Sequence, residues 1–467
     1  MINDFLYNRV IGHFPHTPTQ QQDELIRGLS LFVMDRNQGI FLMKGYAGTG
    51  KTSVIAALIK AMDELQQPII LMAPTGRAAK VLSSYSGKQA YTIHKKIYRQ
   101  QVGGEINGSF SLNVNLHKST LFVVDEASMI ANASGESNFG SGRLLDDLIE
   151  YVYGGDGCRL ILIGDTAQLP PVGQIMSPAL EKGHLEGYGF PVTEYRLTDV
   201  VRQACESGIL YNATKLRLHI LEGLSGEIPE VETDSYPDIE HITGEELIDA
   251  LSSSFSQVGM DETIVISRSN KRANIFNNGI RNRILYREEE LSTGDLLMVV
   301  KNNYFWSKEF EKLDFIANGD IAEVKRLRNK RELYGFRFAD AQLYFPDYDI
   351  EIEAKIILDT LQSEAPALSY DEQNRLFQAV QEDYMDIGNK RERMKKMRED
   401  PYLNALQVKF AYAVTCHKAQ GGQWETVFLD QGYLTEEMVN TEYLRWLYTA
   451  FTRAKSKLYL INWPKKN

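Results

Sequence analysis

Cysteine is scarce in this 467-residue chain: Cys158, Cys205 and Cys416 are far apart and form no CxxC pair. That excludes a disulfide framework, argues against thiolate metal binding, and fits a reducing, cytoplasmic setting. Long apolar runs are also missing; nothing approaches the roughly 20 residues needed to span a bilayer, so no membrane partner is expected. The first residues, MINDFLYNRVIGHF, lack a basic segment followed by an apolar run, so no secretory leader is expected. Positive charge is in deficit, with 51 Lys and Arg against 62 Asp and Glu for a net charge of −11. This excludes a protein that coats nucleic acid through a general positive field. Any nucleic-acid contact has to come from a local groove where basic side chains and backbone donors meet phosphates. No internal repeat, low-complexity tract or dimerising heptad is visible, so a monomer is expected. What remains is 43% hydrophobic and 24% charged, ordinary for a globular protein. The length suggests about three domains.

One segment departs from that ordinary background. Ile40-Phe41-Leu42-Met43 is a short apolar run that reads as a buried parallel strand. Gly45-Tyr46-Ala47-Gly48-Thr49-Gly50-Lys51-Thr52 follows at once and matches G-x-x-x-x-G-K-[ST] in full. Val54, Leu58, Ala61, Met62 and Leu65 then recur on one face of an expected helix. Glycines let the backbone curl so that several N–H groups meet phosphate oxygens beside a helix amino terminus. Gly45, Gly48, Thr49, Gly50, Lys51, Thr52 and Ser53 are therefore the expected ATP-binding set. Lys51 would reach the β- and γ-phosphates, and Thr52 would offer its hydroxyl oxygen to Mg²⁺.

Two further strands end in chemistry. Leu121-Phe122-Val123-Val124 runs straight into Asp125-Glu126-Ala127-Ser128, and an acidic pair there is costly unless a cation uses it. Mg²⁺ beside a triphosphate is such a cation: Asp125 is expected to hold the metal and Glu126 to polarise the attacking water. Leu160-Ile161-Leu162-Ile163 ends in Gly164-Asp165-Thr166-Ala167-Gln168-Leu169-Pro170-Pro171. Gln168 is the candidate sensor of the γ-phosphate; as structure alone, the segment is a strand-end turn with a proline-stiffened exit.

In this order, the glycine loop, the Asp-Glu pair and the Gly164 segment resemble the motor of superfamily 1 helicases, above all the RecD-like and phage Dda-like branch. Thr19-Gln20-Gln21-Gln22 resembles that family's Q motif, whose glutamine reads adenine, and Gln22 fits its spacing best. Pro74-Thr75-Gly76-Arg77 lies in a stretch that resembles motif Ia, and Thr92-Ile93-His94 resembles the DNA-contacting turn that follows it. Leu197-Thr198-Asp199-Val200-Val201-Arg202 resembles the segment whose arginine reaches the γ-phosphate. Thr415-Cys416-His417-Lys418-Ala419-Gln420-Gly421 is similar to motif V, and Thr449-Ala450-Phe451-Thr452-Arg453 to motif VI with its second arginine finger. Each motif alone is weak, and the order of all of them from about position 19 to 460 carries the resemblance.

The resemblance implies an ATP-dependent DNA helicase that travels 5′-to-3′ on single-stranded DNA and opens duplex junctions. Its expected catalytic residues are Lys51, Asp125, Glu126, Gln168, Arg202 and Arg453. An arginine finger adds a factor of about 10³–10⁵ in phosphoryl-transfer rate. If Arg202 and Arg453 come from a second lobe or its hinge, closing on ATP couples hydrolysis to movement. DNA is expected to meet Pro74, Thr75, Thr92, His94, Asn270, Thr415, His417 and Lys418, contacts that hold a backbone without reading bases. Taken alone, each histidine reads more readily as a packed structural residue. An RNA helicase, a translocase that does not unwind, and an ATP-switched loader are the competing readings. Replication or repair proteins are the expected partners besides DNA.

The expected fold is α/β, with two recA-like lobes built on parallel sheets and an insertion in each. Residues 1–96 and 119–205 form the first lobe, and residues 206–292 and 403–467 the second. Between them, Gly103-Gly104 and Asn107-Gly108 are turn signals that make 97–118 a hairpin. The resemblance makes that hairpin a duplex-splitting pin with Phe110 as a wedge; the alternative is a surface hairpin with Phe110 folded onto its own base. Short β-compatible runs at 294–300, 316–324, 334–338 and near Ile350 indicate an all-β insertion over 293–402, similar to the SH3-like domain of RecD-like proteins. It is expected to carry a helical extension at 368–400. The basic run 390–398 reads as a solvated helix face, because acids lie among its lysines and arginines.

Overall fold

The computed structural model describes residues 2–463 except 36, 101–109, 133–138, 202–205, 225, 228, 309, 311–312 and 314. Helix α1 (Ile2–His13) precedes α2 (Gln20–Met34). The latter opens with a capping box in which Thr19 accepts from the Gln22 N–H and Gln22 accepts from the Thr19 N–H. The expected apolar runs become β1 (Ile40–Gly45), β6 (Leu121–Val124) and β7 (Arg159–Gly164). With α3 (Lys51–Glu64), β2 (Ile69–Ala73), α4 (Gly76–Ser86), β3 (Ala90–Thr92), α6 (Leu144–Tyr153), α7 (Lys182–Glu186) and β8 (Val192–Leu197) they build one sheet and its covering helices. The strand order is β3-β2-β6-β7-β1-β8 and every neighbouring pair is parallel. Near-continuous apolar strands are what a sheet covered on both faces requires. Because all strands run one way, the loops after β1, β2, β3, β6 and β7 emerge along a single edge, where open α/β sheets hold ligands.

Between β3 and β6 the chain forms α5 (Ile93–Ile97) and a hairpin of β4 (Tyr98–Gln100) and β5 (Phe110–Leu112), with Gln100 opposite Phe110. The glycine and asparagine turn signals of this hairpin lie outside the described residues.

The second half of the chain repeats the logic. Helix α8 (Gly208–Glu222) leads to β9 (Ile239–Ile242), α9 (Leu247–Gln257), β10 (Thr263–Ser267) and α10 (Asn270–Arg283). The chain then departs into a closed barrel of β11 (Leu296–Val299), β12 (Ile321–Leu333), β13 (Phe336–Phe345), β14 (Ile350–Ile357) and β15 (Leu406–Phe410). It returns through β16 (Ala413–Thr415), α13 (Cys416–Ala419), β17 (Trp424–Asp430), α14 (Thr441–Phe451) and β18 (Ala454–Ile461). The second sheet is also parallel, in the order β16-β10-β17-β18-β9.

Helices α11 (Tyr370–Glu382) and α12 (Lys390–Arg398) cross between β14 and β15 and account for the expected helical extension. The barrel, however, runs past the expected limit at 402. β15 seals it by pairing antiparallel with β11 and parallel with β14, and only Ala411 and Tyr412 separate it from the second sheet. The stretch 334–338, expected as a strand, is divided. Tyr334 and Gly335 both have positive φ and form a two-residue turn between β12 and β13, the backbone twist that tight hairpins favour. Asp295, wholly buried, ties the barrel's entry together by accepting from Arg281, Arg287 and Tyr412.

Candidate active site

A cleft of about 550 Å³ opens between the carboxyl edges of the two sheets. Gly48, Gly50, Lys51, Thr52, Asp125, Glu126 and Gln168 line it from the first sheet, and Arg453 from the second. The structure thus brings together residues more than 400 positions apart that sequence had assigned to one reaction. Gly45, Thr49 and Ser53 do not line the cleft, and the first two support the loop. The Thr49 hydroxyl donates to Tyr46 O (2.8 Å), and Lys51 Nζ is held by Gly45 O and Tyr46 O, both at 2.7 Å.

Gln22 lies against this loop, but its amide is committed within the protein. Nε2 donates to Thr49 O (3.0 Å) and Oε1 accepts from Thr19 N (3.0 Å). It braces the loop from behind. Gln21 instead joins α2 to the end of β8, donating to Thr198 Oγ1 and accepting from Thr198 N. Arg202 lies outside the described residues.

Glu126 follows β6 in a left-handed backbone conformation, φ 55°. Burial pushes its carboxyl up from the ordinary range, Arg453 pulls it back down, and Asp125 raises it again. Asp125 accepts from the Tyr85 hydroxyl (2.7 Å) and from the Glu126 N–H (2.8 Å). Gln168 connects the two sides of the cleft. In the amide orientation that satisfies both neighbours, its nitrogen donates to Glu126 Oε2 (3.3 Å) and its oxygen accepts from Arg453 Nη2 (3.2 Å). Arg453, only 2% exposed, is aimed by further bonds to Thr449 O (3.0 Å) and Gly422 O (3.1 Å).

Sequence reasoning missed the residues that hold the two sides together. The Tyr448 hydroxyl donates to Asp165 Oδ2 (2.6 Å) and accepts from the Ala47 N–H of the glycine loop (2.9 Å). Thr449 Oγ1 accepts from Leu169 N, Gln420 Nε2 donates to Leu169 O, and Arg445 donates to Thr166 O, each at 2.8 Å. The segment carrying Gln168 is therefore gripped mostly by α14 of the opposite sheet. The apolar spacing of α14 signals only a packed helix, and nothing in it marks these polar edges.

Away from the cleft, Thr75 and Thr92 cap α4 and α5, accepting from Ala78 N (3.2 Å) and Lys95 N (3.1 Å). Gly421 closes directly on Thr75: a Cβ there would lie 2.8 Å from Ala78 Cβ and 3.0 Å from Thr75 Oγ1. Pro74, Thr75, Thr415, His417 and Lys418 thus come from facing loops of the two sheets. Arg77 extends this contact by stacking over the Trp424 ring at 3.9 Å. Lys418 Nζ is buried without an acceptor among the described residues, and burial together with Lys409 pushes its ammonium down to about 8. His417 is exposed. His94 packs among Tyr98 and Phe139, its imidazole pushed down by burial to about 4, which leaves it neutral. Asn270 donates to Glu364 O (3.1 Å) and so binds the start of α10 to the segment between β14 and β15. Phe110 stacks on Phe139 (4.8 Å) and packs at a tilt against Tyr304, between β11 and β12 (4.3 Å).

Among the described residues no group of three or more His, Cys, Asp or Glu side chains is placed to hold a metal. Thr52 and Asp125 both face the cleft, and their hard oxygen donors suit Mg²⁺ held largely through phosphate and water.

The AAA domain family matches residues 19–219, and the UvrD-like helicase C-terminal domain matches residues 410–461. The ATP-dependent RecD2 DNA helicase of Deinococcus radiodurans is 24% identical over 91% of this chain and 48% of its own length. The ATP-dependent DNA helicase Dda of Enterobacteria phage T4 is 24% identical over 83% of this chain and 86% of its own. The crystal structure of Pif1 helicase from Candida albicans, 15% identical, overlaps 96% of this chain and 95% of that one with a TM-score of 0.47.

Proposed function

We infer that this chain, a superfamily 1 helicase of the RecD/Dda type, uses ATP hydrolysis to travel 5′-to-3′ along single-stranded DNA and to separate duplex ahead of it. The observation that carries this is the bridge from Glu126 through Gln168 to Arg453, because it spans two sheets and ends on groups that do complementary work. Glu126 is the base that polarises water, and Lys51 and Arg453 offset the charge that develops on the γ-phosphate. Gln168, bonded to both, registers whether a γ-phosphate lies between them. Thr52 and Asp125 would hold a Mg²⁺ ion, which would supply positive charge against the phosphate oxygens. Arg202 is proposed as a second finger on the strength of its motif.

The two halves then act as recA-like lobes. Loss of the γ-phosphate releases Arg453, and the cleft opens by a hinge motion of one lobe on the other. The strand itself would lie across Thr75, Thr415 and Lys418, the last a buried cation that a backbone phosphate satisfies. The barrel is proposed as the SH3-like insertion, and the hairpin as the pin. Phe110 serves the hairpin by anchoring it on Tyr304.

The test compares ATP turnover with and without single-stranded DNA for wild type, Lys51→Ala and Glu126→Gln, followed by forks with a 5′ or 3′ tail. Strong DNA stimulation is expected in wild type, none in either variant, and strand separation only from the 5′ tail. Stimulated turnover without separation would make the protein a translocase. Wild-type turnover in Glu126→Gln would remove the assigned base.

A further inference from the structure

One cationic surface takes no part in the motor as described. Helix α12 presents Lys390, Arg391, Arg393, Lys395, Lys396 and Arg398, and none of the six makes an ion pair with a carboxylate among the described residues. Arg326 and Arg328, exposed on β12, are likewise unpaired, whereas their neighbours Lys325 and Lys330 are bound to Glu323 and Glu289. In a chain of net charge −11, unneutralised cations gathered on one insertion form a local feature and not a share of an overall field.

These groups lie on one path. Arg326, Arg328 and Lys355 line a groove of about 250 Å³ together with Trp306, Asp340 and Glu353. The Trp306 indole donates to Asn404 O (2.8 Å), and Asn404 Nδ2 donates to Arg398 O (2.9 Å) at the end of α12. In the other direction, Tyr304 lies two residues before Trp306 and packs on Phe110 of the hairpin. Contacts therefore connect the hairpin, the Tyr304–Trp306 loop, the groove beside Arg326 and Arg328, and the carboxyl end of α12. A groove that sets one indole beside two guanidiniums suits unpaired bases on a phosphate backbone; paired bases in a duplex have no free face to stack.

We propose that this side of the barrel is a second nucleic-acid track, which takes the single strand leaving the hairpin while its complement runs between the two lobes. The proposal rests on the helicase reading above. Three forks with the same 5′ tail and duplex would be compared: one with an unpaired 3′ arm, one without an arm, and one whose arm is paired. The unpaired arm is expected to tighten binding by about tenfold in wild type. The paired substitutions Arg326→Glu and Arg328→Glu should remove that gain. They should also flatten the slope of log Kd against log salt by about 1.4, at about 0.7 per lost single-strand phosphate contact. Lys395→Ala with Lys396→Ala, at exposed helix positions, should reduce the gain in the same direction. Turnover stimulated by a plain oligonucleotide should stay at the wild-type rate in both variants. No such stimulation in wild type would sink the helicase reading itself. Normal stimulation with no gain from the unpaired arm, with the same gain in both variants, or with a larger gain from the paired arm would overturn the track alone.

Discussion

Lys418 shows how a single buried charge can announce a ligand. Its ammonium is held down near 8 by burial and by Lys409, itself pushed down to about 8 by burial and donating to Ser363 O. His417 and Glu442 lie nearby, but His417 is pushed below its usual value and stays neutral in this range. Bringing a phosphate to Lys418 favours its charged form, so DNA binding takes up a proton once the pH exceeds the free-state value. Affinity for single-stranded DNA should therefore weaken as pH rises from 7 through 9. Lys418→Met should bind several-fold more weakly at pH 7 and lose much of that dependence; fluorescence anisotropy titrations at fixed salt measure both. At this scale sequence gave partial guidance. The residues lining the cleft were legible because phosphate chemistry demands fixed types at fixed spacing. Gln22 was legible as a residue at the loop, but not as one whose amide is already spent on Thr19 and Thr49. His94 sat in a recognisable motif, yet its burial depends on Phe139, which no local pattern links to it.

Elements meet where the barrel touches the first lobe. Asp320, buried at the start of β12, abuts the first turn of α4, where a Cβ on Gly76 would lie 2.7 Å from its Oδ1. Burial lifts its carboxyl to about 7, partly offset by donation from Ala317 N and the Tyr348 hydroxyl, while Asp347 pushes it higher; Asp347 itself pairs with Lys80 of α4. The folded protein thus keeps a proton on Asp320 that the unfolded chain releases near the usual carboxylate value. Between those two points the folded state binds more protons, so stability falls as pH rises towards 7 and stays at its lower level above. Thermal melts of Asp320→Asn should fall less than wild type between pH 5 and 8. The hairpin offers a second test. Phe110→Ala removes the ring that joins β5 to Tyr304 and should lower the rate of strand separation several-fold while leaving oligonucleotide-stimulated turnover intact. Equal losses in both rates would mean the ring supports the fold and not the opening of duplex. The barrel strands were only partly visible in sequence. β12 carries a dense run of charge with an irregular register near Arg328 and Arg331, which hides its alternation. β15 escapes notice because its partners lie far back in the chain.

At the scale of the whole molecule, a short chain of contacts joins the ATP cleft to the proposed DNA face. Arg453 donates to Gly422 O, its own carbonyl accepts from Trp424 N (2.9 Å), and the Trp424 ring carries Arg77 of α4. Removing Arg77 should leave basal ATP turnover near wild type but reduce its stimulation by DNA about tenfold, since the lost stacking is worth about 1–2 kcal/mol. Arg77→Lys, which keeps a cation over the ring, should recover part of it. Steady-state turnover against DNA concentration separates a lost maximum from a weaker half-saturation point. The parallel order of both sheets was implied by the motifs, but the contact of Arg77 with Trp424 was not, because it joins two lobes.

The order of strands in the second sheet also bears on how the protein is made. β18 lies between β17 and β9, although it is synthesised roughly two hundred residues after β9, and β10 waits through the entire barrel for β16 and β17. Such distant pairing folds slowly and leaves early strands uncovered in the meantime. On the ribosome, the first sheet can therefore close around its glycine loop while the second is still an open edge. Arg453 immediately precedes β18, so the chain acquires this proposed finger only as that missing inner strand emerges, and a half-made copy that binds nucleotide lacks it.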